Sequence, residues 1–217
     1  MDKLTPVSIR GFLPRDREDL RRISCQTAFP GIKPGEVFSD NEVLADALTI
    51  YFTDHEPQSC FVAVTDNRVV GYIIGTKDAS AMEHINGKNI FPRLIRKALR
   101  RGVFLNISNL KFIFYCLRSA CRGEFFMPDF SKKFPAMLHI NIESGYRQAG
   151  LGARLIKTYE AYLREQGVSG VHFGTLSEEA KGFFLKMGFT ILAQGRRSYL
   201  KPYLGKEVNF YVFGKQF

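Results

Sequence analysis

Arg147-Gln148-Ala149-Gly150-Leu151-Gly152 is the stretch whose reading decides the fold. A helix that opens on such a segment presents unpaired backbone N–H groups and the positive end of its dipole, so an anion can be held there without a specialised side chain. Gly150 and Gly152 let phosphate groups approach the backbone, Gly145 permits the bend before them, and Arg147 and Arg154 add positive charge. Before the loop, Ala136-Met137-Leu138-His139-Ile140-Asn141-Ile142 reads as a buried strand. After it, Leu151, Leu155, Tyr159 and Tyr162 form one stripe of a helix reaching about Gln166. Strand, glycine loop and helix stand in the order a phosphate site requires. The dinucleotide fingerprint is not met, because the loop lies late in the chain and Glu165 would sit on its helix. Nor is the Walker pattern, which needs Gly-Lys followed by Ser or Thr.

Outward from the loop, the chain alternates strands and helices. Val7 to Phe12 predicts a short strand and Pro14 to Phe29 a helix that stops before Pro30. A Pro- and Gly-bearing loop runs from Phe29 to Phe38, after which Ser39 or Asp40 can cap a helix holding Val43, Leu44, Ala47, Leu48 and Tyr51. Cys60–Thr65 and Val69–Gly75 flank Asp66-Asn67-Arg68, a connection of hairpin length. Beyond the central helix, Val171–Thr175 predicts a strand, Ser177–Met187 a helix closed by Gly188, and Phe189 onward and Val208–Phe213 two more strands. The expected fold is α/β, a mixed α+β sheet with helices on both faces, in one domain over 1–217. Between the third and fourth strands lies an insertion, 77–135, with two predicted helices from about Phe91 to Arg101 and from Ser108 to Cys121.

The chain has 217 residues, of which 45% are hydrophobic and 24% charged, an ordinary globular balance that excludes long disorder and a membrane-embedded protein. No apolar run follows Met1-Asp2-Lys3-Leu4-Thr5-Pro6, and Val103–Leu117 is interrupted by Asn106, Ser108, Asn109 and Lys111, so a cytoplasmic location is expected. Cys25, Cys60, Cys116 and Cys121 form no CxxC pair and no zinc spacing, which predicts free, buried thiols and no metal. The net charge of +10 is concentrated in the insertion, where twelve Lys and Arg face four acids. Several readings of that segment stay open: a solvated basic surface, an acceptor-binding lid, a docking face for nucleic acid or anionic lipid, or a homodimer contact.

The loop is similar to the Q/R-x-x-G-x-G/A pyrophosphate motif of the GNAT superfamily of acyl-CoA-dependent N-acyltransferases. A second segment, Ser177-Glu178-Glu179-Ala180-Lys181-Gly182-Phe183-Phe184-Leu185-Lys186-Met187-Gly188-Phe189, resembles that family's N-x-x-A-x-x-F-Y-x-K-x-G-F. Pro135 to Ile142 also looks like the acetyltransferase-like domains associated with some O-GlcNAc hydrolases. The GNAT resemblance implies that the Ile140, Asn141 and Ile142 backbone pairs with pantetheine as an added strand. It further implies that amides from Gln148 through Ala149, Gly150, Leu151 and Gly152 to Ala153 hold a pyrophosphate, with Ser177, Ala180 and Phe183 on the coenzyme's far side. The implied activity is transfer of an acetyl group from acetyl-CoA, as cosubstrate, to an amine acceptor by direct attack, with no metal.

The pattern departs from the family at the groups that move protons. The tyrosine that protonates the departing thiolate falls at Phe184, and the motif asparagine is Ser177, a residue that also suits a helix cap. The strand positions that carry a base in several relatives are Ala136 and Leu138. His139 is the nearest titratable group, with an ordinary pKa near 6.5 that suits the task, although alternation turns it to the opposite face and a packed histidine is the competing reading. Glu143, His172, Glu36 and a base acting through water are further options. Tyr199, Tyr203 or water could supply the acid. Two rival functions follow: a coenzyme-binding module without catalysis, and an adaptor that binds nucleic acid or anionic membrane through the insertion.

Overall fold

The structure, a computed structural model, describes residues 6–147 and 150–217. Seven strands, β1 (Ser8–Gly11), β2 (Cys60–Thr65), β3 (Arg68–Thr76), β4 (Ala136–Ile142), β5 (Gly170–Thr175), β6 (Thr190–Arg197) and β7 (Val208–Gln216), form one sheet in the order β1-β2-β3-β4-β5-β7-β6. All described pairings are antiparallel except β4 with β5. The β2–β3 turn is one residue shorter than expected: Asp66 and Asn67 take φ of 48° and 59°, a left-handed pair matching strand twist, and Arg68 already pairs with Thr65.

The helices are α1 (Arg17–Thr27), α2 (Asn41–His55), α3 (Ala79–Ile85), α4 (Phe91–Arg100), α5 (Ile107–Cys121), α6 (Leu151–Glu165), α7 (Glu178–Lys186) and the short α8 (Lys201–Leu204). Pro14 opens a 3₁₀ turn ahead of α1, and the Asp40 carboxylate caps α2 by accepting from the Val43 N–H at 2.9 Å. The insertion holds three helices where two were expected. Asp78 caps α3, which continues through a π turn, Asn86–Ile90, into α4. Asn86-Gly87 looks like a helix stop in sequence, and the wider turn absorbs it. Pro92 sits in the first turn of α4 and brings no N–H to the helical ladder where the π turn passes into that helix.

Two apolar layers sandwich the sheet. On one face α6 and α7 bury Leu155, Ile156, Tyr159 and Phe184 against Ala136, Leu138, Phe173 and Phe213. On the other, Leu20, Ile23, Tyr51 and Met82 pack on Val62, Tyr72 and Ile74. β4 alternates accordingly: Ala136, Leu138, Ile140 and Ile142 join the α6 layer, and Met137 joins the α1–α2 layer. Tyr159 locks the sandwich, its hydroxyl donating to the Met137 carbonyl at 3.1 Å and the Thr76 carbonyl at 3.4 Å. Gly75 leaves room for that hydroxyl. The thiols differ from expectation, since Cys25 and Cys60 are buried but Cys116 is half-buried and Cys121 exposed. The latter two lie on α5, a helix that turns apolar side chains outward.

Candidate active site

The sheet comes apart at the β4–β5 pair. Ala136 pairs with Val171 and Met137 with His172, and there the described pairing ends, although β4 continues to Ile142 and β5 to Thr175. On its other edge β4 stays in register with β3 as far as Ile142 opposite Gly71. The β5-facing edge of residues 138–142 therefore has no strand partner, and backbone N–H and C=O groups in that position readily pair with an extended ligand.

At the end of this opened edge stands the N-terminus of α6. Gly150 caps it at φ 71°, a left-handed conformation that favours glycine, and a side chain built there would meet open space. Gly152 is different: a Cβ would come within 3.0 Å of the Phe183 ring and 3.5 Å of Ile142, so this glycine lets α6, α7 and β4 close together. Leu151 is buried in the α6 layer, and Ala153 is half-buried beside it. The Arg147 guanidinium folds back to donate to the Ile142 carbonyl at 3.1 Å, and that of Arg154 donates to the Val7 carbonyl at 2.9 Å. Gln148 and Ala149, expected to contribute two amides, lie outside the described residues. Across the opening, the Ser177 hydroxyl caps α7 by accepting from the Ala180 N–H at 3.2 Å, and Ala180 and Phe183 pack partly buried on the α6 layer.

The opposite face of β4 carries the polar groups. Asn141 donates to the Tyr72 hydroxyl at 2.7 Å, which in turn lies 2.7 Å from the Ser24 hydroxyl on α1, a buried chain not foreseen from sequence. Burial pushes the Tyr72 phenol up to about 12. His139, one position before Ile140, is half-buried, and no hydrogen bond to its ring exists among the described residues. Desolvation lowers its pKa, leaving a neutral imidazole at neutral pH. The other options are committed elsewhere. Glu143 is paired with Arg22 and Arg68, His172 Nδ1 lies 2.7 Å from the Phe134 carbonyl, and Glu36 is exposed on the α1–α2 loop. Phe184 is buried in a cluster with Phe173, Phe189 and Phe213.

Helix α5 of the insertion ties two connecting segments together. Its inner side carries Asn109, whose amide oxygen accepts from the Ser39 N–H at 2.8 Å and whose amide nitrogen donates to the Val103 carbonyl at 3.0 Å. Phe112 packs edge-on against Phe29, Phe38 and Tyr199, and Ser119 lies 3.0 Å from Ser198. One end of the helix is thus bound to the α1–α2 loop, the other to the β6–β7 connection. Tyr199 is held between Phe112 and Phe125, and burial raises its phenol to about 12, so it is protonated at neutral pH. The Tyr203 hydroxyl is buried without a hydrogen-bond partner among the described residues. Those residues contain no cluster of three His, Cys, Asp or Glu suited to a metal, and no helix long and apolar enough to cross a membrane.

Compared with known proteins, residues 25–189 match the profile of the family described as acetyltransferase (GNAT) family. No curated protein matches in sequence. Among solved structures, SsHAT is similar at 21% identity and TM-score 0.68, covering 97% of this chain and 98% of that one. The polyamine N-acetyltransferase of Drosophila melanogaster, described as forming N-acetylagmatine, aligns at 16% identity and TM-score 0.58 over 98% of this chain and all of that one. The yncA protein of Salmonella typhimurium, a structure with acetyl-CoA, aligns at 13% and 0.57 over 98% and 94%. At these identities the structures speak to the fold. Neither they nor the family profile carries the resemblance to domains associated with O-GlcNAc hydrolases.

Proposed function

Since this chain belongs to the acetyltransferase (GNAT) family, we propose that it takes acetyl-CoA between β4 and β5 and passes the acetyl group to an amine. The observation that carries this reading is the parting of β4 from β5 after Met137, with the glycine-capped N-terminus of α6 at the end of the freed edge. The Ile140, Asn141 and Ile142 backbone would pair with the amides of the pantetheine arm. The first amides of α6 and the open space over Gly150 suit a pyrophosphate. Bound there, acetyl-CoA supplies a thioester open to direct attack by the amine. A fixed β4 N–H near Ile140 or Ile142 would stabilise charge developing on the carbonyl oxygen. His139, neutral on the face opposite Leu138, is the proposed acceptor of the amine's proton. Tyr199, protonated and fixed by two aromatic rings, is the proposed donor to the departing thiolate, with water as the alternative. Helix α5 would then shape the acceptor side.

Position 150 offers a test that separates charge from shape. Asn and Asp have nearly the same size and both tolerate a left-handed backbone. Gly150→Asn should keep most of the affinity for acetyl-CoA, whereas Gly150→Asp should weaken it about tenfold relative to Asn. Equal affinities by titration calorimetry in folded variants would remove the phosphates from this loop. A second reading, a coenzyme-binding module without catalysis, is favoured by Phe184, which has no proton to donate. Release of free CoA thiol with a panel of amines distinguishes it, since the module would bind acetyl-CoA and turn over none of them.

A further inference from the structure

Eleven of the fourteen large apolar side chains exposed among the described residues fall between Phe91 and Phe126. On α4 they are Phe91, Ile95 and Leu99, one turn apart. At the joint Leu105 is 89% exposed, and on α5 the stripe continues through Ile107, Phe114 and Leu117. These are not core positions turned outward by chance. Helix α4 packs on α2 through Leu94 and Ala98, and α5 packs through Asn109, Phe112 and Ser119, which leaves the stripes on the unpacked sides. Between Glu83 and Glu124 the chain carries nine Lys and Arg and no acid. Lys97 and Arg101 are held by Asp46 and Asp40, and Arg122 faces Glu124, whereas Lys88, Arg93, Arg96, Arg100, Lys111 and Arg118 have no ion pair among the described residues.

We propose that this face docks on the surface of an anionic lipid bilayer. Apolar side chains standing beside unpaired cations match the boundary between acyl chains and negatively charged headgroups, where each kind of group finds its solvent. A second copy of the chain fits worse, because it would bring two acid-free basic surfaces together. Nucleic acid would satisfy the cations and leave the Ile and Leu side chains in water.

The test is co-sedimentation of the full chain with vesicles of phosphatidylcholine alone and with about one third phosphatidylserine. Binding is expected to the phosphatidylserine vesicles, weak binding to phosphatidylcholine, and a decline as salt rises. Two variants probe the two components. Phe114→Ser with Leu117→Ser, and Arg96→Gln with Arg100→Gln, should each lower partition onto anionic vesicles about tenfold. Thermal midpoint and acetyl-CoA affinity should stay unchanged, since all four side chains are exposed. The proposal is overturned if the parent does not prefer anionic vesicles, or if both variants bind as well as the parent. It is equally overturned if sedimentation equilibrium finds a dimer that the Phe114 and Leu117 changes dissociate, or if binding to RNA needs the arginines and ignores the apolar pair.

Discussion

His139 combines three properties that a proton acceptor needs: a neutral ring, no competing hydrogen bond among the described residues, and a position on the strand that parts from its neighbour. Because burial depresses its folded-state pKa, turnover limited by this group should fall as pH drops through that value, and His139→Gln should lose about 100-fold in kcat with coenzyme affinity much less affected. The same depression has a thermodynamic sign. The folded state resists protonation that the unfolded chain accepts, so the stabilising contribution is complete above the ordinary value of about 6.5 and is lost as pH falls through the folded pKa. Thermal midpoints measured between neutral and mildly acidic pH should therefore fall less steeply for His139→Gln than for the parent. Equal slopes, together with undiminished turnover, would return His139 to an ordinary packing role. The sequence marked this residue through its strand position and titration range, but its hydrogen-bonding depends on which side chains the fold brings to that face, which no local pattern states.

At the scale of elements, the opening between β4 and β5 depends on β4 being held firmly on its other side. The Tyr159 hydroxyl does this from α6 by binding the Met137 and Thr76 carbonyls, and Gly75 makes the approach possible. Gly75→Ala would drive a methyl group into that hydroxyl and the Met137 carbonyl, and overpacking of this kind costs about 3 kcal/mol. Denaturant unfolding should register it as a lower midpoint with an unchanged slope; a loss below about 0.5 kcal/mol would show that the sheet relaxes freely here. Tyr159 was legible as part of an apolar stripe, since helical periodicity marks burial, but nothing in that pattern says where its hydroxyl ends. The strands and capped helices were legible for the same local reasons that form them, alternation and side chains such as Asp40 and Ser177. Helix α3 was not, because it is short and runs into Asn86-Gly87, and only the π turn shows that the chain continues helical.

Across the whole molecule, the proposed coenzyme cleft lies where β4 parts from β5, and the insertion joins β3 to β4 at one wall of it. The charge excess of 77–135 was readable from composition, but its division was not, since Lys97 and Arg101 are spent on the α2 region while Arg96 and Arg100 have no ion pair among the described residues. The inner face of α5 was equally hidden: Asn109 looked like a break in an apolar run and is in fact a buried bracket to Ser39 and Val103. The two ends of the insertion meet, with the Ala79 N–H donating to the Pro135 carbonyl at 2.8 Å beside the cross-strand pair Thr76 and Met137. That meeting bears on the order of assembly. The β2–β3 hairpin closes over two residues, whereas β3 and β4 must find each other across the whole of 77–135, about five doublings of loop length and about 3 kcal/mol of additional closure entropy. The hairpin should therefore protect its amides early in a pulse-labelled refolding experiment, with those of β4 following once the intervening helices have drawn the ends together, and simultaneous protection would remove that sequence of events. The cleft proposed for the coenzyme would be among the last parts of the chain to take shape, because one of its walls waits for that late strand.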